Sequence, residues 1–465
     1  EGSDKYRTLA LNMRFKRDVL KRFFHQMKAR LHGVDKRLML IPNLSQWSLF
    51  LNIAAPALGR VGHGDLWDTA NRGIDPFVLE GELDNASFTA VPVGPDGDAD
   101  AYVAACQFSM IRAMNRNRDF CVGLFIGRFL ANDLYRYLSP AEMIGSAVAS
   151  GAKGLNVYGY CGLDDGGVLH AMDGAVRDSI GVGNRWARRA MAALGRRGKA
   201  RIALLFPAAM ALMEPYEVPG NRDRRLDMLG YYRAFCDWGY MVDVLHPCQL
   251  AQSLGGYAML VMPENSSYPM DPDSEAERAL RRWVEAGGVL VHGPCDAMAR
   301  AATGIVGQPH PDDCVGYQGV RMLITSTRCA SYPGRRMAEF LSSGRSAASE
   351  NALGGGRVIS LGFDYGLCHA ARRMPHVPAD KGNQDYYPVA LADRDPVREL
   401  AMSLCPPERA RGPQIECALF ERGEVAVNHS PYPCALPGGG WVFQYPADGN
   451  TLTPHSAAYR LYPAD

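Results

Sequence analysis

Carboxylates and imidazoles carry most acid–base and hydroxyl-binding chemistry in proteins. One cluster of them is Asp164, Asp165, His170 and Asp173, within CGLDDGGVLHAMDG. The cluster directly follows the apolar run GLNVYGYCG (154–162), which carries Tyr158 and Tyr160. Asp164, Asp165 and His170 suit hydrogen bonding to a polyhydroxylated ligand, and Tyr160 offers an aromatic platform. The competing reading is a solvated polar loop capping the next helix, with the tyrosines as ordinary strand packing. A second carboxylate pair, Glu80 and Glu82 in FVLEGELDN, reads either as a group at a strand end or as plain surface loop. Asn43, Trp47 and Trp67 carry the same ambiguity. His292, ending a strand in VLVHGP, reads as a satisfied structural histidine. The basic run NRDRRLD (221–227) reads as a solvated helix start or an ion-pair surface between subunits.

Other chemistries find no support. The 12 cysteines are scattered without CxxC spacing, and many sit in apolar runs such as FCVGLFIG. That usage predicts reduced thiols of a cytoplasmic protein, with neither a disulfide framework nor a metal site. No GxGxxG follows a strand, and GRRGKA (195–200) lacks the Ser/Thr of a phosphate loop. No cofactor is expected. With 50 Lys+Arg against 49 Asp+Glu the net charge is +1, which favours neither nucleic acid nor an anionic membrane as partner. No apolar run reaches the ~18 residues of a membrane span. The 465 residues are 47% hydrophobic, enough for about three domains with sizeable cores.

The elements that must position these side chains alternate. Leu11, Phe15, Val19, Phe23, Met27 and Leu31 recur at helical spacing in residues 9–31. KRLMLIPNL (36–44) reads as a strand, and IDPFVLEGEL (74–83) as a strand or strand-to-loop passage. A helix with Asp98 or Asp100 as N-cap follows, then the strand DFCVGLFIG (119–127). SPAEMIGSAVASGA (139–152) opens with Ser139 and Pro140, a good helix start. GLNVYGYCG is the next strand, and NRWARRAMAALGRRG closes as a helix. Apolar strands alternating with helices predict a parallel sheet covered on both faces. Four such units are half of a (β/α)8 barrel, whose sites lie at the C-terminal strand ends.

From Arg201 the pattern is that of a doubly wound layer, with strands RIALLF, MVDVLH, YAMLVMPEN, GGVLVHGP and finally GGGRVISLGFD. PPERARGP (406–413) reads as a linker to a small antiparallel module beginning IECALFERGEVAVNHSPYPCAL. The expected fold is α/β: a partial (β/α)8 TIM-type barrel in 1–199, a flavodoxin-like doubly wound domain in 200–405, and a small C-terminal antiparallel β domain in 406–465. Four barrel strands alone leave open sheet edges. The sequence is therefore expected to be a C-terminal fragment or to have a partner that supplies the missing half.

LGYYRAFCDWGYMVDVLHP…GGYAMLVMPE…LRRWVEAGGVLVHGP resembles the trimerisation domain of the glycoside hydrolase family 42 β-galactosidases. ECALFERGEVAVNHSPYPCALP is similar to their small β domain. FKRDVLKRFFHQMKARLHGVDKRLMLIPNL and EMIGSAVASGAKGLNVYGY resemble segments of their barrel. The resemblance implies a retaining hydrolase acting on terminal β-galactosides, a trimeric homo-oligomer, and no metal. Retaining chemistry uses two carboxyl groups about 5–5.5 Å apart. By the family register the acid/base Glu precedes Glu1. The nucleophile falls at Gly123, Leu124 or Phe125, and no residue from Cys121 to Asn132 is a carboxylate. His170 matches a sugar-holding His, whereas Gly167 stands where its partner Glu is expected. Glu264-Asn265 is an Asn-Glu pair only in reverse order, outside the barrel. The catalytic residues thus stay unassigned, and His170, Asp164, Asp165 and Tyr160 are the expected substrate-binding residues. The alternative is a carbohydrate-binding or assembly protein on the same scaffold.

Overall fold

The structure, a computed structural model, describes residues 2–42, 74–79, 81–90, 100–116, 118–125, 139–158, 174–213, 224–265, 274–294, 296–324, 326, 328–370, 387–388, 394–408 and 414–463. The chain forms two compact units. One comprises Glu1–Lys16, Ala200–Phe235 and Val242–Pro406, and the other Arg17–Lys199, Cys236–Met241 and Pro407–Asp465.

The chain opens with helix α1 (Gly2–Val34). Its predicted apolar stripe exists but faces solvent, with Phe15 63% and Phe23 51% exposed. Residues 36–42 contain no strand, and 74–79 and 81–83 form turns in place of the expected strand. Pro76 and Gly81 punctuate that run, and the Asp75 carboxylate accepts from the Phe77 N–H at 3.2 Å, which fixes a turn. The sheet begins later, with β1 (Thr89–Ala90), followed by α2 (Ala101–Asn115), β2 (Cys121–Phe125), α3 (Pro140–Ala149), β3 (Gly154–Tyr158) and α4 (Gly174–Ala193). The strands pair in parallel, in the order β1-β2-β3, with Thr89 opposite Gly123 and Cys121 opposite Gly154. Parallel pairing demands long crossovers, which α2 and α3 supply. Asp100 caps α2 through the Tyr102 N–H, and Pro140 sits in the first turn of α3. All ten residues of α3 are buried, as its near-continuous apolar sequence requires. The helix packs on α4 and on the C-terminal sheet.

In the other unit, continuous apolar runs give β4 (Ile202–Leu205), β5 (Val242–Leu245), β6 (Met259–Met262) and β7 (Val289–His292). Between them lie α5 (Ala208–Met213), α6 (Asp227–Asp237), α7 (Leu250–Ser253) and α8 (Glu275–Glu285), and α9 (Ala297–Thr303) follows β7. Further on come β8 (Gln308–His310), β9 (Val315–Tyr317), β10 (Val320–Leu323), β11 (Cys329–Ser331), β12 (Arg335–Phe340), β13 (Ser346–Leu353), β14 (Gly356–Leu361), α10 (Leu367–Ala370), β15 (Tyr387–Pro388) and α11 (Pro396–Leu404). One ten-stranded sheet has the order β15-β10-β9-β12-β13-β14-β7-β6-β4-β5. Its β14-β7-β6-β4-β5 half is parallel, and the order within it reverses between β4 and β6. That is the doubly wound pattern, with its crevice at the switch point. Leu205, Leu260, Leu290 and Val358 form part of its core. In the other half, β10, β9, β12 and β13 pair antiparallel, with β15 parallel to β10 at the edge, an extension the sequence pattern does not predict.

The C-terminal segment forms β16 (Ile415–Phe420), β17 (Gly423–Asn428), β18 (Cys434–Ala435), β19 (Val442–Phe443), β20 (Thr451–Leu452) and β21 (Ser456–Leu461). A four-stranded antiparallel sheet, β16-β17-β21-β19, contains the expected hairpin. No helix among the described residues is long and apolar enough to cross a membrane.

Candidate functional site

Because β1, β2 and β3 are parallel, their C-terminal ends share one rim. The predicted ligand-binding residues Tyr160, Asp164, Asp165 and His170 follow the end of β3 and lie outside the described residues, as do Asp173, Glu80, Asn43, Trp47 and Trp67. The central strand β2 brings Gly123, Leu124 and Phe125 toward the rim without a carboxylate. Gly123 has a backbone reason to be glycine, since a Cβ there would sit 2.6 Å from the Phe88 carbonyl oxygen. Glu82 does not follow a strand. It precedes β1 and pairs with His25 at 2.9 Å. Three residues on, the Asn85 side chain accepts from the Cys121 N–H at 3.0 Å, at the start of β2. Glu82 therefore belongs to the N-terminal side of this sheet, opposite the rim.

The doubly wound sheet gathers charge at its own C-terminal edge. Glu264 follows β6 and Asp364 follows β14, and both are fully buried. Arg224 Nε donates to Glu264 Oε1 at 2.7 Å, and its guanidinium also donates to the Asn265 carbonyl at 2.5 Å. Arg224 and Arg225, read above as solvated, are both buried, because Arg224 has a carboxylate and Arg225 the Met210 carbonyl to donate to. Asp227 accepts from the Glu264 and Leu367 N–H groups at 2.7 and 2.9 Å. Burial, then the charge of Asp364, pushes Asp227 up to about 7. The same two causes push Glu264 well above the ordinary carboxylate range, against Arg224 and Arg328. Burial thus disfavours the charged form of these carboxyls, and the hydrogen bonds of Asp227 tie the ends of β6 and α10 to α6. His292, at the end of β7, has partners at both ring nitrogens, Gly293 O and Ser360 Oγ, each at 2.8 Å. Burial drops it to about 4, so the ring is neutral and structural. Beside it opens a cavity of ≈ 420 Å3 whose wall includes Asp296, Arg300, Arg328 and Tyr332.

In the unit that carries the rim, His429 is fully buried between two carboxylates. Its Nδ1 lies 2.8 Å from Glu142 Oε1 and its Nε2 3.1 Å from Glu416 Oε2. Glu142 also meets His455 at 3.0 Å, and Ser146 donates to Glu416 at 2.8 Å. Burial opposes a charge on His429, but the hydrogen bonds to Glu142 and Glu416 win and raise it to about 9. The two histidines in turn hold Glu142 below its ordinary value against burial. An imidazolium thus fastens α3 to the C-terminal sheet.

Among the described residues, no group of three or more His, Cys, Asp or Glu is placed to hold a metal ion, and none of the ten described cysteines forms a disulfide. No protein-family model matches the sequence, and no curated protein matches it. Solved structures do match in fold. Gan42B, a GH42 β-galactosidase from G. stearothermophilus, aligns with a TM-score of 0.67 at 14% identity, over 98% of this chain and 69% of its own. The cold-adapted β-galactosidase of Rahnella sp. R3 aligns with a TM-score of 0.64 at 17% identity, over 98% of this chain and 68% of its own. The β-galactosidase of the Antarctic haloarchaeon Halorubrum lacusprofundi gives 0.61 at 16% identity, over 84% of this chain and 62% of its own. The chain thus spans about two thirds of the length of these enzymes. Its parallel barrel-type strands, doubly wound sheet and small antiparallel sheet are the fold of the family 42 β-galactosidases.

Proposed function

We propose that this chain belongs to a glycoside hydrolase-like protein that recognises a terminal β-galactoside at the C-terminal rim of β1, β2 and β3. The observation that supports this reading is the alignment with the GH42 β-galactosidase Gan42B over 98% of the chain, with the rim strands in parallel register. Asp164, Asp165, His170 and Tyr160 are the residues proposed to meet the sugar hydroxyls and ring. The proposed organisation keeps a barrel portion in 1–199, a trimerisation-type domain in 200–405 and a β domain in 406–465. A trimer in the reducing cytoplasm completes it.

A second reading concerns the chemistry. A retaining glycosidase needs a nucleophilic carboxylate beside its acid/base. The central strand β2 supplies Gly123-Leu124-Phe125 there. This favours a scaffold that binds the glycoside without cleaving it through a β2 nucleophile. Hydrolysis of 4-nitrophenyl β-D-galactopyranoside, followed beside calorimetric binding of galactose, separates the two. Binding without nitrophenol release supports the scaffold reading. Release abolished by loss of a rim carboxylate supports the enzyme. Neither binding nor release refutes both.

A further inference from the structure

We propose that the cavity beside β7 is a second, non-catalytic monosaccharide site, separate from the rim and carried wholly by the doubly wound unit. It measures ≈ 420 Å3, within the range of small-molecule sites. At its wall stands Asp296, only 4% exposed. Its Oδ1 caps α9 by accepting from the Met298 and Ala299 N–H groups at 2.9 and 3.1 Å. Its Oδ2 is buried with no hydrogen-bond partner. Burial pushes Asp296 up to about 7, so near neutral pH this open oxygen presents a lone pair or a proton, and leaving it unpaired costs free energy that a hydroxyl in the cavity, donor and acceptor at once, recovers.

The rest of the wall says which donor. Arg300 and Arg328 contribute guanidinium groups, Asp312 a further carboxylate, and Tyr332 and Val306 apolar surface. Two arginines stand with two aspartates in the wall, so neither sign of charge dominates. An inorganic anion would meet the uncapped carboxylate oxygen of Asp296. A neutral pyranose answers every feature: hydroxyls donate to Asp296 and Asp312, accept from the arginines, and its C–H face lies on the aromatic ring. Tyr332 is held for such a role. Its ring meets His292 edge-on at 5.2 Å, and a Cβ on Gly307 would stand 2.6 Å from it.

The test uses the full chain with methyl-labelled Ile305 and Ala330, both in the cavity wall. Galactose, glycine and inorganic phosphate are titrated separately. The expected result is a saturable shift of these methyls with galactose only. Arg300→Ala and Asp296→Asn weaken it about tenfold or more (Asn keeps the helix cap). Val306→Trp, at an exposed position, abolishes it by filling the mouth. His170→Ala leaves it unchanged, which separates this site from the rim. No shift with galactose, a shift with glycine or phosphate instead, or a galactose shift that survives Val306→Trp overturns the proposal.

Discussion

At the scale of single residues, the two buried ionic groups make opposite demands on protonation. Burial and the charge of Asp364 push Glu264 well above the ordinary carboxylate range, toward its neutral form and against Arg224. A neutral amide can replace a neutral acid, accepting from Arg224 and donating onward. Glu264→Gln is therefore expected to cost under about 1 kcal/mol at pH 7. Arg224→Ala strips the donors from Glu264 and the Asn265 carbonyl, and is expected to cost about 1–3 kcal/mol for each buried acceptor left unsatisfied. Urea denaturation of both variants checks the contrast, and a large loss in Glu264→Gln would show an ionised carboxylate. His429 works the other way. Its folded value, about 9, lies above the ordinary 6.5. The stability it adds is fully present below pH 6.5 and lost as pH rises through 9. Between pH 7 and 9 this amounts to about 2 kcal/mol. Unfolding free energies across that range should fall by this amount, and a flat profile would contradict a charged His429. None of this was legible in the sequence. Arg224 and Glu264 stand 40 positions apart, and NRDRRLD has the composition of a solvated face. The available signal was the Glu two residues beyond the buried strand MLVM, followed by Asn265.

At the scale of elements, legibility followed burial. Strands β2, β4, β6 and β7 are apolar runs and were found within two or three residues of their ends. The β9–β13 extension was missed for two reasons. Strand β12, RRMAEF, is half exposed and charged, so no apolar run marks it. The β9–β10 turn is Gln318-Gly319, both at positive φ (47° and 82°), a primed-type hairpin turn carried by Gln where Asn or Asp is the usual signal. The 74–83 segment failed in the opposite sense, since Phe77, Leu79 and Leu83 are buried without forming a strand. Gly123 gives an element-level prediction. A methyl at 2.6 Å from the Phe88 carbonyl forces β1 away from β2, so Gly123→Ala should destabilise by about 1–3 kcal/mol. Thermal unfolding measures it, and an unchanged midpoint would contradict the close approach of β1 to β2. Asp100→Ala, which removes the α2 cap, should cost about 1 kcal/mol in the same assay.

At the scale of the whole molecule, parallel and antiparallel layers were distinguishable because each writes its own pattern into the sequence. Parallel strands are continuous apolar runs, and the C-terminal hairpin alternates. The site was less readable. Hydrophobic patterning reports what is buried, whereas the proposed sugar-binding residues Asp164, Asp165 and His170 come in sequence after β3 has ended. Their assignment depends on where the parallel strands point. The direct test is calorimetric titration of an uncleavable thio-β-galactoside into the Val306→Trp chain, in which the second cavity is closed. Saturable binding that weakens about tenfold or more in Val306→Trp/His170→Ala is the predicted result. Binding indifferent to His170, or no binding at all, would contradict a sugar site on the rim of β1, β2 and β3.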